Sequence, residues 1–312
     1  MSEGQSTAYR VLPADFKHRI ASTFGEDGRC WLDALPRLLK DCESRWRLEI
    51  DAPITPLSYN YVAPATMSNG QEIILKLGVP NAELNGEILA LQTYGSRGSV
   101  RLIDAEPGEG ILLLERLTPG RMLSELGLRN DEEATRIAAR VMKQLWRPLP
   151  EGHGFTTVAQ WAGGFQRLRD QFNGGTGPFP AGLVRDAEEI YERYLADSER
   201  KVLLHGDLHH FNILSAEREP CLAIDPKGVV GDPAYDAGAL LRNPIPDVYH
   251  WSDLGKIQSQ RLDILSEELQ IPRRRLQEWA YAQMVLSAWW NFEDEGPVGQ
   301  EWIPFAEQIR DA

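Results

Sequence analysis

The stretch VLLHGDLHHFNILSAEREPCLAIDPKGVVGDPAYD, residues 202–236, constrains this chain more than any other. Three short apolar runs, at Val202 to Leu204, Ile213 to Leu214 and Leu222 to Ile224, alternate with polar loops. The pattern reads as strand, tight loop, strand, turn, strand, loop. Asp207, Asn212 and Asp225 fall at the strand ends, where side chains can converge on one cleft. Two carboxylates and an amide suit phosphoryl transfer. One carboxylate takes the hydroxyl proton, and the amide and the second carboxylate hold Mg²⁺.

Asp207 and Asn212 repeat the D-x-x-x-x-N spacing of kinase catalytic loops, in which one tight loop aims both side chains the same way. Asp207 is the expected base, and Asn212 and Asp225 the expected metal ligands, with the oxygen donors that Mg²⁺ prefers. An isolated Asp in a turn is usually a cap or turn former. The ordered set HGDxxxxN, strand, strand-terminal Asp is much harder to explain in that way. His205 is expected to brace the loop, and Asp236 to anchor it by hydrogen bonds. Asp232 is expected to cap a helix that opens on Pro233. His205, His209 and His210 do not make a zinc motif: no Glu-x-x of helical character lies between the first two, and no cysteine is near.

Upstream, a short helix is expected over 14–23 and a second over 29–47, where Trp31, Leu35, Leu38, Leu39, Cys42 and Trp46 form one apolar stripe. Strands follow over 48–54 and 57–66. A turn at Ser68, Asn69 and Gly70 leads into a returning strand over 71–77. Asn81 caps a helix over 82–94, and two more strands span 100–104 and 111–116. Leu117 to Gly120 reads as a hinge. Beyond it the chain turns helical, with helices expected over 131–149, 158–172, 183–199, 235–242, 252–269 and 273–293, then a short terminal helix. The fold class is therefore α+β: a β-rich N-terminal lobe (1–117, with a helical arm) and a mainly helical C-terminal lobe (118–312) that carries the catalytic and acceptor-binding residues.

Lys76, between two apolar residues on its strand, is the candidate phosphate-binding lysine. Its ion-pair partner should come from the next helix. Glu87 lies closer than Glu83 to the Leu84, Ile88 and Leu91 face, and so nearer the sheet. In a kinase-like fold the run 112–117 (LLLERL) is the edge whose backbone meets adenine, which makes Glu115 and Leu117 nucleotide-binding candidates. The loop at 57–61 (LSYNY) carries no glycine, so no glycine-rich phosphate cover is present there.

A net charge of -13 disfavours nucleic-acid binding, which wants a basic face, and is compatible with a cationic small substrate. Three cysteines without a CxxC pair, an N-terminus without an apolar signal core and no membrane-length apolar run point to a cytoplasmic protein with reduced thiols. From Glu293 onward there are six acids and one basic residue, Arg310. Trp290, Glu293 and Asp294 are the acceptor-site candidates, with Trp289, Glu295, Glu301 and Trp302 in the same region. Their carboxylates and aromatic faces suit guanidinium groups. Helix packing and a solvated end explain them equally well.

The chain resembles the aminoglycoside phosphotransferase-like kinases, through HGDLHHFN at 205–212 and GDPAYD at 231–236. More narrowly it is similar to the aminoglycoside/hydroxyurea resistance kinases, which include streptomycin 6-phosphotransferases, through NYVAPA at 60–65, LLLERL at 112–117 and AIDPKGVVGDPAYD at 223–236. The resemblance implies a bilobal protein-kinase-like fold and ATP- and Mg²⁺-dependent phosphorylation of a small-molecule hydroxyl, with streptomycin or a related aminoglycoside as acceptor. It assigns Asp207 the base role, Asn212 and Asp225 the metal roles and Lys76 the lysine role. Asp225-Pro226-Lys227 departs from the protein-kinase Asp-Phe-Gly, and Asp232 follows too soon for an activation segment. The alternatives are a kinase of hydroxyurea or another small metabolite, and a nucleotide-binding pseudokinase regulator. A monomer and a homodimer are both compatible with the sequence.

Overall fold

The computed structural model describes residues 12–197, 200–245, 247–297 and 299–312, with backbone only at Tyr249 and Glu295. Residues 1–11 of the expected arm, Ser198 and Glu199 of the expected 183–199 helix and the Glu295 side chain lie outside the described residues. Two compact units divide the chain: Met1–Ser96 with Val100–Leu117, and Arg97–Ser99 with Thr118–Ala312.

The first unit opens on α1 (Ala14–Trp46). The two expected helices run as one, kinked at Gly25, where φ is 58° and ψ is -126°. Glycine adopts that left-handed backbone without a Cβ clash. Past the kink the chain crosses close to its first turns, since a Cβ on Gly28 would stand 2.4 Å from the Ile20 carbonyl oxygen. Strands β1 (Leu48–Ile50), β2 (Tyr61–Met67) and β3 (Glu72–Leu77) follow, then α2 (Ala82–Tyr94), β4 (Leu102–Glu106) and β5 (Ile111–Glu115). They form an antiparallel sheet in the order β1-β2-β3-β5-β4.

β1 is shorter than the expected 48–54 run, and β2 starts later than 57. Pro53 and Pro56 interrupt the intervening segment, and proline gives no ladder donor. Within it Asp51 and Ile54 bond along β2, their N–H groups donating to the carbonyls of Pro64 and Val62. Side-chain alternation then sorts the sheet. Tyr61, Ala63, Ala65, Ile73, Leu75 and Leu77 bury against Trp31, Leu35, Leu39 and Cys42 of α1. Lys76, between Leu75 and Leu77, takes the opposite face.

The second unit contains β6 (Pro119–Met122), α3 (Leu123–Gly127), α4 (Asp131–Leu145), β7 (Thr156–Thr157), α5 (Val158–Gln171) and α6 (Ala181–Asp197). It continues with β8 (Val202–Leu204), β9 (Ile213–Ala216), β10 (Cys221–Ala223), β11 (Val229–Gly231), α7 (Ala237–Leu241), α8 (Leu254–Leu269), α9 (Arg273–Glu295) and α10 (Trp302–Asp311). Within the segment expected as a hinge, 117–120, the two units divide between Leu117 and Thr118, and Pro119 and Gly120 open β6, which pairs with β9. Two small sheets result, β10-β9-β6 and β7-β11-β8. β7 and β11 were not foreseen, being too short to carry a two-residue period.

α9 is the packing centre. Its Trp279, Tyr281, Val285, Leu286 and Trp289 are all buried. Asp232, at the start of the turn before α7, accepts from Ala234 N at 2.9 Å, Trp279 Nε1 at 3.0 Å and Arg275 Nε at 2.6 Å. It therefore caps Pro233–Asp236, a single 3-10 turn, and also fixes that turn to α9.

Candidate active site

In the first unit, Lys76 and Glu87 form a buried ion pair. Both carboxylate oxygens of Glu87 accept from Lys76 Nζ, at 2.8 and 2.7 Å. The residues are only 3% and 6% exposed, so the pair has left water almost completely. Asn81 positions the helix that supplies Glu87, its Oδ1 accepting from Leu84 N at 2.8 Å. Glu83, one turn earlier, is exposed. Glu115 ends β5, where its carboxylate accepts from Arg101 N at 3.1 Å and its own N–H bonds the Arg101 carbonyl at 2.9 Å. Leu117 follows half-buried.

In the second unit the stretch from β8 to Asp236 closes on itself. β8 delivers His205, Gly206 and Asp207, and buried Asp236 receives the loop. Its Oδ2 accepts from His205 N at 3.1 Å and its Oδ1 from Gly206 N at 2.8 Å, while Trp146 Nε1 adds a third donor at 3.1 Å. This is the anchoring expected of Asp236. Burial pushes the Asp236 carboxyl up to about 6 against the pull of those donors. The His205 ring braces the loop from inside, donating Nε2–H to the Ile224 carbonyl at 2.8 Å and accepting Asp207 N–H at Nδ1, 3.2 Å away. Burial pushes that imidazole down to about 4, so it is neutral. Both ring nitrogens are taken by backbone groups.

Gly206 has φ +85°, and a Cβ there would stand 2.8 Å from Val229 and 2.9 Å from Trp161. Only glycine fits that turn.

Asp207 faces a cluster of donors. Arg242 Nη2 meets its Oδ1 at 2.7 Å, and His209 Nε2 lies 3.6 Å from its Oδ2. Burial favours the neutral acid, but His209, Arg242 and Lys227 outweigh it and hold the carboxyl well below the usual range. Asn212 donates Nδ2–H to the Asp207 carbonyl at 3.0 Å. Antiparallel pairing of Ala223 with Ile213, extended by Ile224 N to the Asn212 carbonyl at 3.0 Å, brings Asp225 next to Asn212. Asp225 has a left-handed backbone, φ 57°. That turn sends the chain back to the loop, where Lys227 N bonds the His205 carbonyl at 2.8 Å.

An amide oxygen and a carboxylate fit Mg²⁺, which is usually held by one or two carboxylates plus substrate phosphates. Among the described residues no group of three or more His, Cys, Asp or Glu side chains is arranged to cage a metal. A two-donor site completed by phosphates does not require one.

The acceptor candidates divide. Glu293 is bound to Arg167 through both oxygens, at 2.7 and 2.9 Å, so an internal guanidinium already holds it. Asp294 is exposed. Trp290 is half-buried and packs edge-on against Trp161, with centroids 5.4 Å apart. Trp161 also borders Gly206 and packs on Tyr235, which links Trp290 to the catalytic loop. Trp289, the neighbouring candidate, is buried among Phe172, Phe179 and Phe292 as a packing residue. Sequence reasoning missed Arg242 and Trp161, which lie far from the motif in the chain and carry no spacing signal. It weighed His209 only as a zinc ligand.

The fold is that of small-molecule kinases. The choline kinase LicA from Streptococcus pneumoniae superposes with a TM-score of 0.61 over 89% of this chain and 98% of its own, at 12% sequence identity. A family model, aminoglycoside/hydroxyurea antibiotic resistance kinase, matches residues 45–296, and the chain belongs to that family. It is 32% identical to a streptomycin 6-kinase of Streptomyces glaucescens over 91% of each chain. It is 33% identical to a hydroxyurea phosphotransferase of Kitasatospora aureofaciens, over 91% of this chain and 81% of that one.

Proposed function

We propose that this protein transfers the γ-phosphoryl group of ATP, with Mg²⁺, to a hydroxyl of streptomycin or a related aminoglycoside. The observation that carries the reading is the Asp207 carboxylate clamped by Arg242, on a loop whose Asn212 amide bonds the Asp207 carbonyl and whose neighbouring strand runs into Asp225, in a chain of this family. Bound Mg²⁺·ATP supplies the phosphoryl group and the divalent charge that offsets the charge of the transferring group. Asn212 and Asp225 would hold the metal. Asp207 orients the acceptor hydroxyl and takes its proton as the acceptor oxygen–phosphorus bond forms and the bond to ADP breaks. Lys76, aimed by Glu87, binds phosphate, and the Glu115 and Leu117 backbone meets adenine. Trp290 and Asp294 serve a cationic acceptor, with Glu293 fixing this end of α9 through Arg167.

The hydroxyurea reading has an observation of its own, since the hydroxyurea phosphotransferase relative is 33% identical to the chain and the streptomycin kinase 32%. The two are separated by comparing kcat/KM for streptomycin, other aminoglycosides and hydroxyurea at saturating Mg²⁺·ATP. Streptomycin is expected to lead. Turnover of hydroxyurea alone would move the acceptor to the second reading. Tight ATP binding without turnover of any acceptor would leave a regulatory nucleotide-binding protein instead.

Among the described residues no helix is long and apolar enough to cross a membrane. Cys30, Cys42 and Cys221 are all free thiols. We read the protein as a cytoplasmic enzyme.

A further inference from the structure

We propose that Arg242 is a positioning residue for the phosphoryl transfer: held by Gln283 of α9, it clamps one oxygen of Asp207 and leaves the other to the acceptor hydroxyl. This rests on the reading of Asp207 as the base.

The geometry forms a relay. Arg242 stands at the C-terminal end of α7, its N–H bonding the Gly238 carbonyl at 3.1 Å. Its Nη1 donates to Gln283 Oε1 at 2.5 Å and its Nη2 to Asp207 Oδ1 at 2.7 Å. The planar guanidinium fixes both contacts at once, which an ammonium cannot do. Gln283 is itself locked: it is 1% exposed, and its Nε2 reaches the Tyr235 carbonyl at 3.4 Å. The space it occupies exists because residue 238 is glycine, where a Cβ would stand 2.3 Å from Gln283 Oε1.

Asp207 thus has two different oxygens. Oδ1 is tied through Arg242 to the α9 core. Oδ2 faces His209 Nε2 at 3.6 Å, longer than a hydrogen bond, and is the oxygen available to a hydroxyl. The backbone of Asp207 is fixed separately, by Asp236 through the preceding amides and by the Asn212 amide. Arg242 therefore governs the side-chain torsion, which sets where the accepting oxygen sits. A misplacement of about 1 Å at such a point can cost roughly a hundredfold in rate.

The test is steady-state kinetics of Arg242→Ala, Arg242→Lys and Gln283→Leu, with Asp207→Asn as reference and ATP affinity measured by calorimetry. Arg242→Ala is expected to lose roughly a hundredfold in kcat with KM for ATP unchanged. Arg242→Lys should recover part of the loss and Gln283→Leu should fall between, since it frees the guanidinium without removing it. Millimolar guanidinium should raise the kcat of Arg242→Ala and leave Asp207→Asn unaffected. Wild-type kcat in Arg242→Ala overturns the proposal. So does a loss expressed mainly as a raised KM for ATP, which would make Arg242 a phosphate ligand. If Arg242→Ala does not fold, wild-type kcat in both Arg242→Lys and Gln283→Leu overturns it. Retained turnover in Asp207→Asn would remove the base reading itself, an outcome distinct from any of these.

Discussion

The Lys76–Glu87 pair allows a quantitative test of how the first unit holds its phosphate-binding lysine. Both partners are more than nine-tenths buried, and their charged atoms lie within 2.8 Å. Removing one partner of a buried ion pair takes away its bidentate bond where no water replaces it, a loss of roughly 3–5 kcal/mol. Glu87→Leu and Lys76→Met are each expected to destabilise the unit by about that amount. The double variant replaces the pair with apolar side chains of similar length, and such swaps are often neutral or stabilising by about 1–4 kcal/mol. The sum of the singles therefore exceeds the double by several kcal/mol, all of it coupling. Glu83→Gln, on the exposed side of the same helix, is expected to stay within about 0.5 kcal/mol. Hydrogen exchange of the β3 and α2 amides is the suitable assay, because it reads this unit without assuming that both units unfold together. ATP affinity, measured in parallel, should fall in Lys76→Met and in the double variant alike. Additive losses, or a double variant less stable than either single one, would refute the picture of a pair whose members are tolerated only together.

Two further outcomes follow. Asp225→Asn keeps the side-chain size and removes one charged oxygen donor, so the Mg²⁺ concentration for half-maximal turnover should rise well above that of the wild type; an unchanged Mg²⁺ dependence would exclude Asp225 as a ligand. The buried imidazole of His205, lowered to about 4 from 6.5, is protonated more readily in the unfolded chain between those values, so its contribution of up to roughly 3 kcal/mol is lost as pH falls through that window. His210 is shifted the same way by burial, whereas Asp236, raised to about 6, acts in the opposite sense between about 4 and 6 and offsets part of the loss. The stability gap between wild type and His205→Gln in urea should accordingly narrow on acidification from pH 7.5 to pH 5, and a constant gap would contradict the assignment.

The parts of the fold legible in the sequence are those written in local patterns. Asn81 announced α2 as its cap, the short apolar runs announced β8 to β10, and Asp207, Asn212, Asp225 and Asp236 came from one continuous motif. Glu87 was separable from Glu83 because a helix turns by a fixed angle per residue, which sets one carboxylate toward the sheet. What escaped depends on distant partners or on very short elements. Arg242 meets Asp207 only because α9 presents Gln283 beneath α7, an arrangement no spacing encodes. Glu293 read as an open acid because its partner, Arg167, lies on α5. The single kinked α1 appeared as two helices because Gly25 breaks the local pattern while the apolar stripe resumes beyond it. The prolines at 53 and 56 shortened strands whose apolar residues alone suggested longer ones.

The most direct test of the account is the mass of the acceptor after incubation with the enzyme, ATP and Mg²⁺, for the wild type and for Asp207→Ala. The account predicts streptomycin gaining one phosphoryl group with the wild type, and no product with Asp207→Ala while its ATP affinity stays at the wild-type value. Phosphorylated product from Asp207→Ala at the wild-type rate would contradict it.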